Sequence, residues 1–360
     1  VVKSILVEIG TENPNFLPME KIDLKELDQA ESEAFAAKLG LEAFRGRQIF
    51  RWIFQKGIPD LDSMTDLSRK VRRELSGKAR ISNIQPMRVD KSRDGSTKFL
   101  FELSDGYYVE SVLIPEKRRL TVCVSSQVGC AQGCRFCATG RMGFKRNLTS
   151  GEIVDQLLKS QRQSVKRITN VVFMGMGEPL LNLKAVMKAC RIMTSDHGLS
   201  LSRKKITIST VGIVHGLKKF VDSGQKLGLA ISLHSADESV RKRVIPSAAG
   251  NDLGQIMAEA RRYTRLSGRR VSFEYLMLGG LTDSISDAER LVRLIHGIPC
   301  KINLIRYNPV DGLPFREPDE ESIQKFKEYL YPRTYAVNIR ESRGLDIKGA
   351  CGQLAGEAFG

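Results

Sequence analysis

From about residue 119 onward the chain alternates short apolar runs with amphipathic stretches, and no other feature of the sequence restricts the fold so strongly. The runs 119–125, 169–174, 205–210, 227–233, 271–278, 301–306 and 335–340 have the length and composition of strands, and helical spacing of apolar residues fills most of the gaps between them. Repeated βα units imply parallel strands, because each helix carries the chain back across the sheet before the next strand starts. Six or seven units in series predict an α/β fold built as a complete or partial barrel. Two further β-rich runs, 98–103 and 107–114, flank the turn Ser104-Asp105-Gly106 and read as an antiparallel pair ahead of the series.

Residues 19–95 are assigned to a small helical accessory domain and 96–360 to the barrel, with a loose boundary near 85–100 where Ser, Asn, Pro, Arg and Asp accumulate. Met64, Leu67, Val71 and Leu75 recur at spacings of three and four behind Ser63 and Thr65, each a candidate N-cap, and Ile49, Phe50, Ile53 and Phe54 cluster with Trp52. The outward positions carry Arg47, Arg51, Lys56, Arg69, Lys70, Arg72 and Arg73, which suit phosphate backbones or, equally, an ordinary solvated face. Val1 opens the chain and Met19 precedes a predicted helix, so residues 1–18 read as an upstream extension or an uncertain start, with no function assigned.

The chain carries 57 Lys and Arg against 41 Asp and Glu, a net +16, which favours a polyanionic partner and puts nucleic acid first. Residues 1–36 run against this trend with eight acids and three bases, so the positive charge belongs to the body of the protein. A hydrophobic share of 41% excludes a disordered chain. Seven cysteines are too few for a disulfide-stapled secreted scaffold, and no run approaches the roughly 18 apolar residues of a membrane span. The expectation is an unprocessed cytoplasmic protein, monomeric and without membrane attachment.

The sharpest chemical signal is Cys130-Ala131-Gln132-Gly133-Cys134-Arg135-Phe136-Cys137, three thiols just after a predicted strand. Thiols at this density are soft ligands for zinc or an iron–sulfur cluster. Zinc wants a fourth close ligand and the nearest histidine is His197, whereas three ligands and a vacancy suit a four-iron cluster with one open iron. Gly175-Met176-Gly177-Glu178 follows another predicted strand and forms a Gly-rich βα turn, neither a dinucleotide fingerprint nor a Walker loop.

The cysteine trio in a loop after the first strand of a βα series resembles the radical S-adenosylmethionine (SAM) superfamily. Cys123-Val-Ser-Ser-Gln-Val-Gly-Cys130, Met174-Gly-Met-Gly-Glu-Pro-Leu180, Ser232-Leu-His234, Ile302-Asn-Leu-Ile305 with Tyr307-Asn-Pro309, and Ala350-Cys-Gly-Gln-Leu354 are together similar to the RNA adenine-C2 methyltransferase family. The similarity runs from about residue 40 to 357 and includes Phe44-Arg-Gly-Arg-Gln-Ile49. It implies a partial (β/α)6-type radical SAM barrel with extra β-strands and a small N-terminal helical domain. It further implies a [4Fe-4S] cluster on Cys130, Cys134 and Cys137, and two SAM per turnover contacted by Gly177, Glu178, Ser209, Ser232, Leu233, His234 and Asn308. Cys351 would carry the methyl group, Cys123 would resolve the adduct and leave a disulfide, and Glu110 would accept a proton. Without the family each of the two thiols reads as a small buried hydrophobe, as Cys190 and Cys300 do.

Adenine C2 is not nucleophilic, so direct displacement on the SAM methyl group cannot alkylate it. The resemblance answers with a radical route: one SAM methylates Cys351, and a second, cleaved by one electron at the cluster, yields a 5′-deoxyadenosyl radical that activates the S-methyl group for addition to C2. The implied substrates are 23S ribosomal RNA in the peptidyl-transferase region and tRNA in the anticodon loop, with an unidentified electron donor as a third partner. The related adenine-C8 methyltransferases of antibiotic resistance share the trio and both thiols. A non-catalytic metal-bearing RNA-binding or ribosome-assembly protein would leave Glu178, Cys123 and Cys351 unexplained.

Overall fold

The computed structural model describes residues 21–356, so the reading of residues 1–18 as an extension lies outside the described residues. A ten-stranded sheet forms the frame, and its strands follow one another in chain order from edge to edge. They are β1 (Gln85–Lys91), β2 (Thr97–Glu102), β3 (Tyr108–Pro115), β4 (Leu120–Cys123), β5 (Asn170–Phe173), β6 (Ile206–Thr210), β7 (Gly228–Ser232), β8 (Val271–Met277), β9 (Cys300–Arg306) and β10 (Val337–Arg340). β1 to β4 pair antiparallel, and β4 to β10 run parallel, the arrangement expected of βα units in series. The two edge strands do not pair with each other, so the barrel is partial.

Helices α1 (Gln29–Lys38), α2 (Ala43–Phe54) and α3 (Arg69–Lys78) precede the sheet, and α4 (Ser150–Arg162), α5 (Leu183–Thr194), α6 (Val214–Asp222), α7 (Glu238–Val244), α8 (Leu253–Ser267), α9 (Ile285–Ile295) and α10 (Glu320–Leu330) belong to the βα series. Every predicted core strand is present within two residues of its predicted ends. β1 is an addition: Pro86 and alternating charges disguise it in the sequence, because it is an exposed edge strand with a register shift between Pro86 and Arg88.

The N-terminal region adds a short parallel pair, Ile22–Asp23 with Ala79–Arg80, and differs at the start of α3. α3 begins at Arg69 and is capped by Ser68, whose hydroxyl accepts from the Val71 amide, so neither Ser63 nor Thr65 is the cap. Met64 and Leu67 are buried before the helix in successive turns, Met64 N to Leu61 O and Leu67 N to Met64 O. Turns of that size also place residues three apart on one side, which imitates helical spacing. Arg69, Lys70 and Arg73 of the basic face are exposed, whereas Arg72 donates to the Met64 carbonyl and Arg47 pairs with Glu33 at 3.4 Å.

Residues 25–31 dock on the barrel. Glu26 accepts from the Ser150 and Gly151 amides at 3.1 and 2.9 Å, supplying a carboxylate to the N-terminus of α4. Arg191 and Lys188 of α5 pair with Asp28 and Glu31 at 2.9 and 2.8 Å. At the centre of this joint the Lys25 ammonium pairs with Asp155 of α4, both essentially inaccessible, and the Ile84 amide donates to the same carboxylate at 3.2 Å. Asp155→Asn leaves the buried Lys25 ammonium without its carboxylate and should cost about 3–5 kcal/mol. Urea denaturation checks this, and a loss below about 1 kcal/mol would show that the pair is not holding the joint.

Candidate active site

The cysteine trio sits on a loop fixed at both ends. Gln127–Gly129 pairs antiparallel with Phe144–Asn147, and the Cys130 amide donates to the Gly143 carbonyl at 2.9 Å. Gly129 has φ +69°, and a Cβ there would stand 1.8 Å from that carbonyl oxygen, so only glycine lets the ribbon close beside Cys130. The next crossover loop is stitched onto this one. Ser125 Oγ donates to the Glu110 carbonyl at 2.6 Å and accepts from the Met176 amide at 2.8 Å, while Gln127 Oε1 accepts from the Glu178 amide at 2.8 Å. Gly177, at φ +97°, lies against Gln127, where any Cβ would fall 2.5 Å from the Gln127 Cβ.

These contacts create a cleft at the C-terminal ends of the parallel strands. It is lined by Cys130, Cys134, Cys137, Gly177, Glu178, Ser209, Ser232, His234 and Cys351, with Met174, Glu274 and Arg340 on its far wall. Leu233 is fully buried behind it, its carbonyl accepting from Arg241 Nε at 3.2 Å. Asn308 lies in the adjoining cavity along the inner face of the sheet, which is also lined by Cys123, Arg340 and Cys351, and its Nδ2 donates to the Cys351 carbonyl at 3.1 Å. Glu110 lines neither cavity. Its buried carboxylate pairs with Lys98 at 3.1 Å and accepts from the Ala355 and Gly356 amides at 2.9 and 3.2 Å.

All seven cysteines are free thiols, and Cys351 is exposed. Burial pushes the Cys130 thiol up to about 12 and raises Cys134 and Cys137 as well, with the charge of neighbouring thiols adding to the rise. Such thiols stay protonated near neutral pH unless a metal displaces the proton. Among the described residues no group of three or more His, Cys, Asp or Glu side chains is arranged around a single metal ion. A four-iron cluster makes a different demand, since each thiolate binds a separate iron and the cluster's own width keeps the sulfurs apart. Three soft donors lining a shared cleft fit it.

Cys123 is pushed up to about 12, first by burial and then by the nearby Cys351 thiol, with Arg340 acting in the opposite sense. Arg340 is held by Glu274 at 3.4 Å, and Glu274 in turn accepts from Asn303 Nδ2 at 2.8 Å. Sequence reading misses this pair. Glu274 does leave a signal, a lone acid inside the apolar strand Val271–Met277, whereas Arg340 reads as an ordinary charge at a strand end. His234 sits at φ +60° with Nδ1 accepting from the Leu276 amide at 3.0 Å and the Phe136 ring edge-on at 5.0 Å. Burial, helped by the charge of Arg241, lowers its pKa to about 3, so the imidazole is neutral and Nε2 carries the proton.

Glu178 is buried, and burial raises its pKa to about 7 against the opposing bonds from the Val211 and Leu180 amides and the Thr210 hydroxyl. Below that pH its carboxyl is mostly neutral, and a neutral carboxyl attracts an amino group less than the carboxylate does. SAM affinity should rise by up to about tenfold between pH 6 and 7, because one proton must leave before the ligand binds. Calorimetric titration of cluster-loaded protein checks this. Glu178→Gln should bind weakly and flatten the pH profile, and an unchanged profile in that variant would contradict the assignment.

Residues 22–81 match the ribosomal RNA large subunit methyltransferase N-terminal domain, and residues 124–295 match the radical SAM superfamily. The dual-specificity RNA methyltransferase RlmN of Geobacter sulfurreducens is 46% identical over 336 residues, covering 93% of this chain and 92% of that one. The protein of the same description from Desulfotalea psychrophila is 44% identical, covering 93% and 95%. A solved structure of a radical SAM methyltransferase from Sphaerobacter thermophilus superimposes with a TM-score of 0.88 at 40% identity, covering 93% of this chain and all of that one. With both matched segments in chain order and this similarity running nearly end to end, the chain belongs to the dual-specificity RNA methyltransferase RlmN family of the radical SAM superfamily.

Proposed function

We propose that this radical SAM RNA methyltransferase methylates C2 of an adenosine in the peptidyl-transferase region of 23S ribosomal RNA, and likewise an adenosine in the tRNA anticodon loop, in the cytoplasm. The observation that carries the reading is the meeting, across two adjoining cavities, of three cluster thiols, a buried glutamate and two further thiols on separate elements. A metal-bearing RNA binder needs only the first three. The motif Met174-Gly-Met-Gly-Glu-Pro-Leu180 favours C2 over C8.

Cys130, Cys134 and Cys137 would hold the [4Fe-4S] cluster, which when bound supplies an open iron and the electron for cleaving SAM. The chain's own residues do the rest. Glu178 receives the amino group of SAM beside the Gly177 backbone, and Ser209, Ser232 and the neutral His234 present hydrogen-bonding groups to the remainder of the ligand. Cys351 accepts a methyl group from SAM, forming its sulfur–carbon bond as the SAM sulfonium bond breaks and losing the thiol proton. Asn308 steadies that loop through the Cys351 carbonyl. Glu110, tied to the same tail, accepts the adenine proton. Cys123 then attacks the Cys351 sulfur, its S–S bond forming as the sulfur–carbon bond to the base breaks; the released carbon takes up a proton to become the methyl group, and an external reductant must reopen the disulfide.

Cys123→Ala separates these steps. The carrier can still load and add to adenine, but no thiol remains to break the thioether joining Cys351 to the base. The variant should carry covalently attached RNA that survives denaturation and reductant, and the further change Cys351→Ala should abolish it. Denaturing electrophoresis with and without nuclease reads this directly, and a Cys123→Ala protein that methylates normally without an adduct would sink the assignment.

A further inference from the structure

Helix α7 packs against the loop of the three cysteines. The Arg135 amide donates to the Val244 carbonyl at 2.9 Å, and Cys134 shares a buried apolar cluster with Val244, Ile245 and Ala248, against which Val211 also packs. From this helix Arg241 reaches inward and is 1% exposed. Its guanidinium donates through Nε to the Leu233 carbonyl and through Nη2 to the Val211 carbonyl, both just beyond the ends of strands that border the cleft. Neither acceptor carries a net charge. The carboxylate one turn back on the same helix, Glu238, is exposed and pairs with Lys242 at 3.0 Å.

A cation removed from water needs a counter-charge as well as hydrogen bonds. Among the described residues no carboxylate stands within salt-bridge distance of the Arg241 guanidinium, so its counter-charge has to come from what the cysteine loop packed against α7 holds. Cys134, in the apolar cluster that α7 covers, is a thiolate when it holds iron.

We propose that Arg241 is a built-in counter-charge for the iron–sulfur cluster on its Cys134 side, holding the reduction potential high enough for the cluster to accept the electron used in SAM cleavage. Reduction adds one negative charge to a centre already surrounded by thiolates, so a fixed neighbouring cation stabilises the reduced form more than the oxidised form. The inference rests on reading Cys130, Cys134 and Cys137 as the cluster ligands. Arg241 is a positioning and charge-setting residue that touches neither RNA nor SAM.

The test compares wild type, Arg241→Gln and Arg241→Lys after anaerobic reconstitution, counting iron and sulfide first and then measuring the midpoint by EPR-monitored titration without SAM. Arg241→Gln should retain the cluster but shift the reduction equilibrium about tenfold toward the oxidised form, about 59 mV for one electron. Arg241→Lys, which keeps the charge, should stay close to wild type. A fully loaded Arg241→Gln protein with the wild-type midpoint would overturn the proposal, and so would a Lys variant shifted as far as the Gln variant, which would assign the effect to the two carbonyl bonds. If Arg241→Gln fails to load, Arg241→Lys decides: loading at the wild-type midpoint supports the charge, and failure overturns it. A wild-type protein without four irons would instead remove the reading of the cysteine trio.

Discussion

The carboxylate of Glu110 lies buried on strand β3 with the Lys98 ammonium 3.1 Å away on β2 and the amides of Ala355 and Gly356 directed at it from the far end of the chain. Leaving that carboxylate inside the protein without these partners would be strongly unfavourable, so the C-terminal segment is held where it supplies them. Between β10 and this anchor the chain must cross the open side of the partial barrel. On the way the Gly352 carbonyl accepts from the Ala138 amide at 2.8 Å, and the Leu354 carbonyl accepts from the Thr139 hydroxyl. Cys351 is thereby brought into the same cleft as the trio, although 214 positions of sequence separate it from Cys137. Only the folded tail brings these two thiols together.

The chemistry of the cleft follows from keeping its groups out of water. Burial leaves Cys123 and Cys130 as protonated thiols, Glu178 poised near 7 and His234 neutral. Cys130 needs a metal to displace its proton, whereas Glu178 changes charge within the neutral range. Arg340 places positive charge beside Cys123 and Cys351 in the adjoining cavity. Arg340 is paired with Glu274, while Arg241 donates to two carbonyl oxygens.

Much of the frame is legible because parallel strands buried on both faces must be apolar runs, and the seven runs from 119–125 to 335–340 are all strands of the sheet. β1 is not legible as a strand, since an exposed edge with Pro86 and alternating charges lacks that signature. The start of α3 is hidden because the turns at Met64 and Leu67 reproduce its spacing. At the site, the thiols and the loop of Gly177 and Glu178 stand out as local motifs. Arg241, Arg340 and the anchoring contacts of Glu110 do not, since each acquires its role from a partner that the local sequence does not reveal.

Placement of a methyl group on C2 of adenosine in RNA is read most directly by mass spectrometry of nucleosides from 23S ribosomal RNA and tRNA lacking the modification, after anaerobic incubation with the reconstituted protein, SAM and a reductant. 2-Methyladenosine should appear. Appearance of 8-methyladenosine, or RNA left unmodified by a protein that carries a full cluster and cleaves SAM, would contradict it.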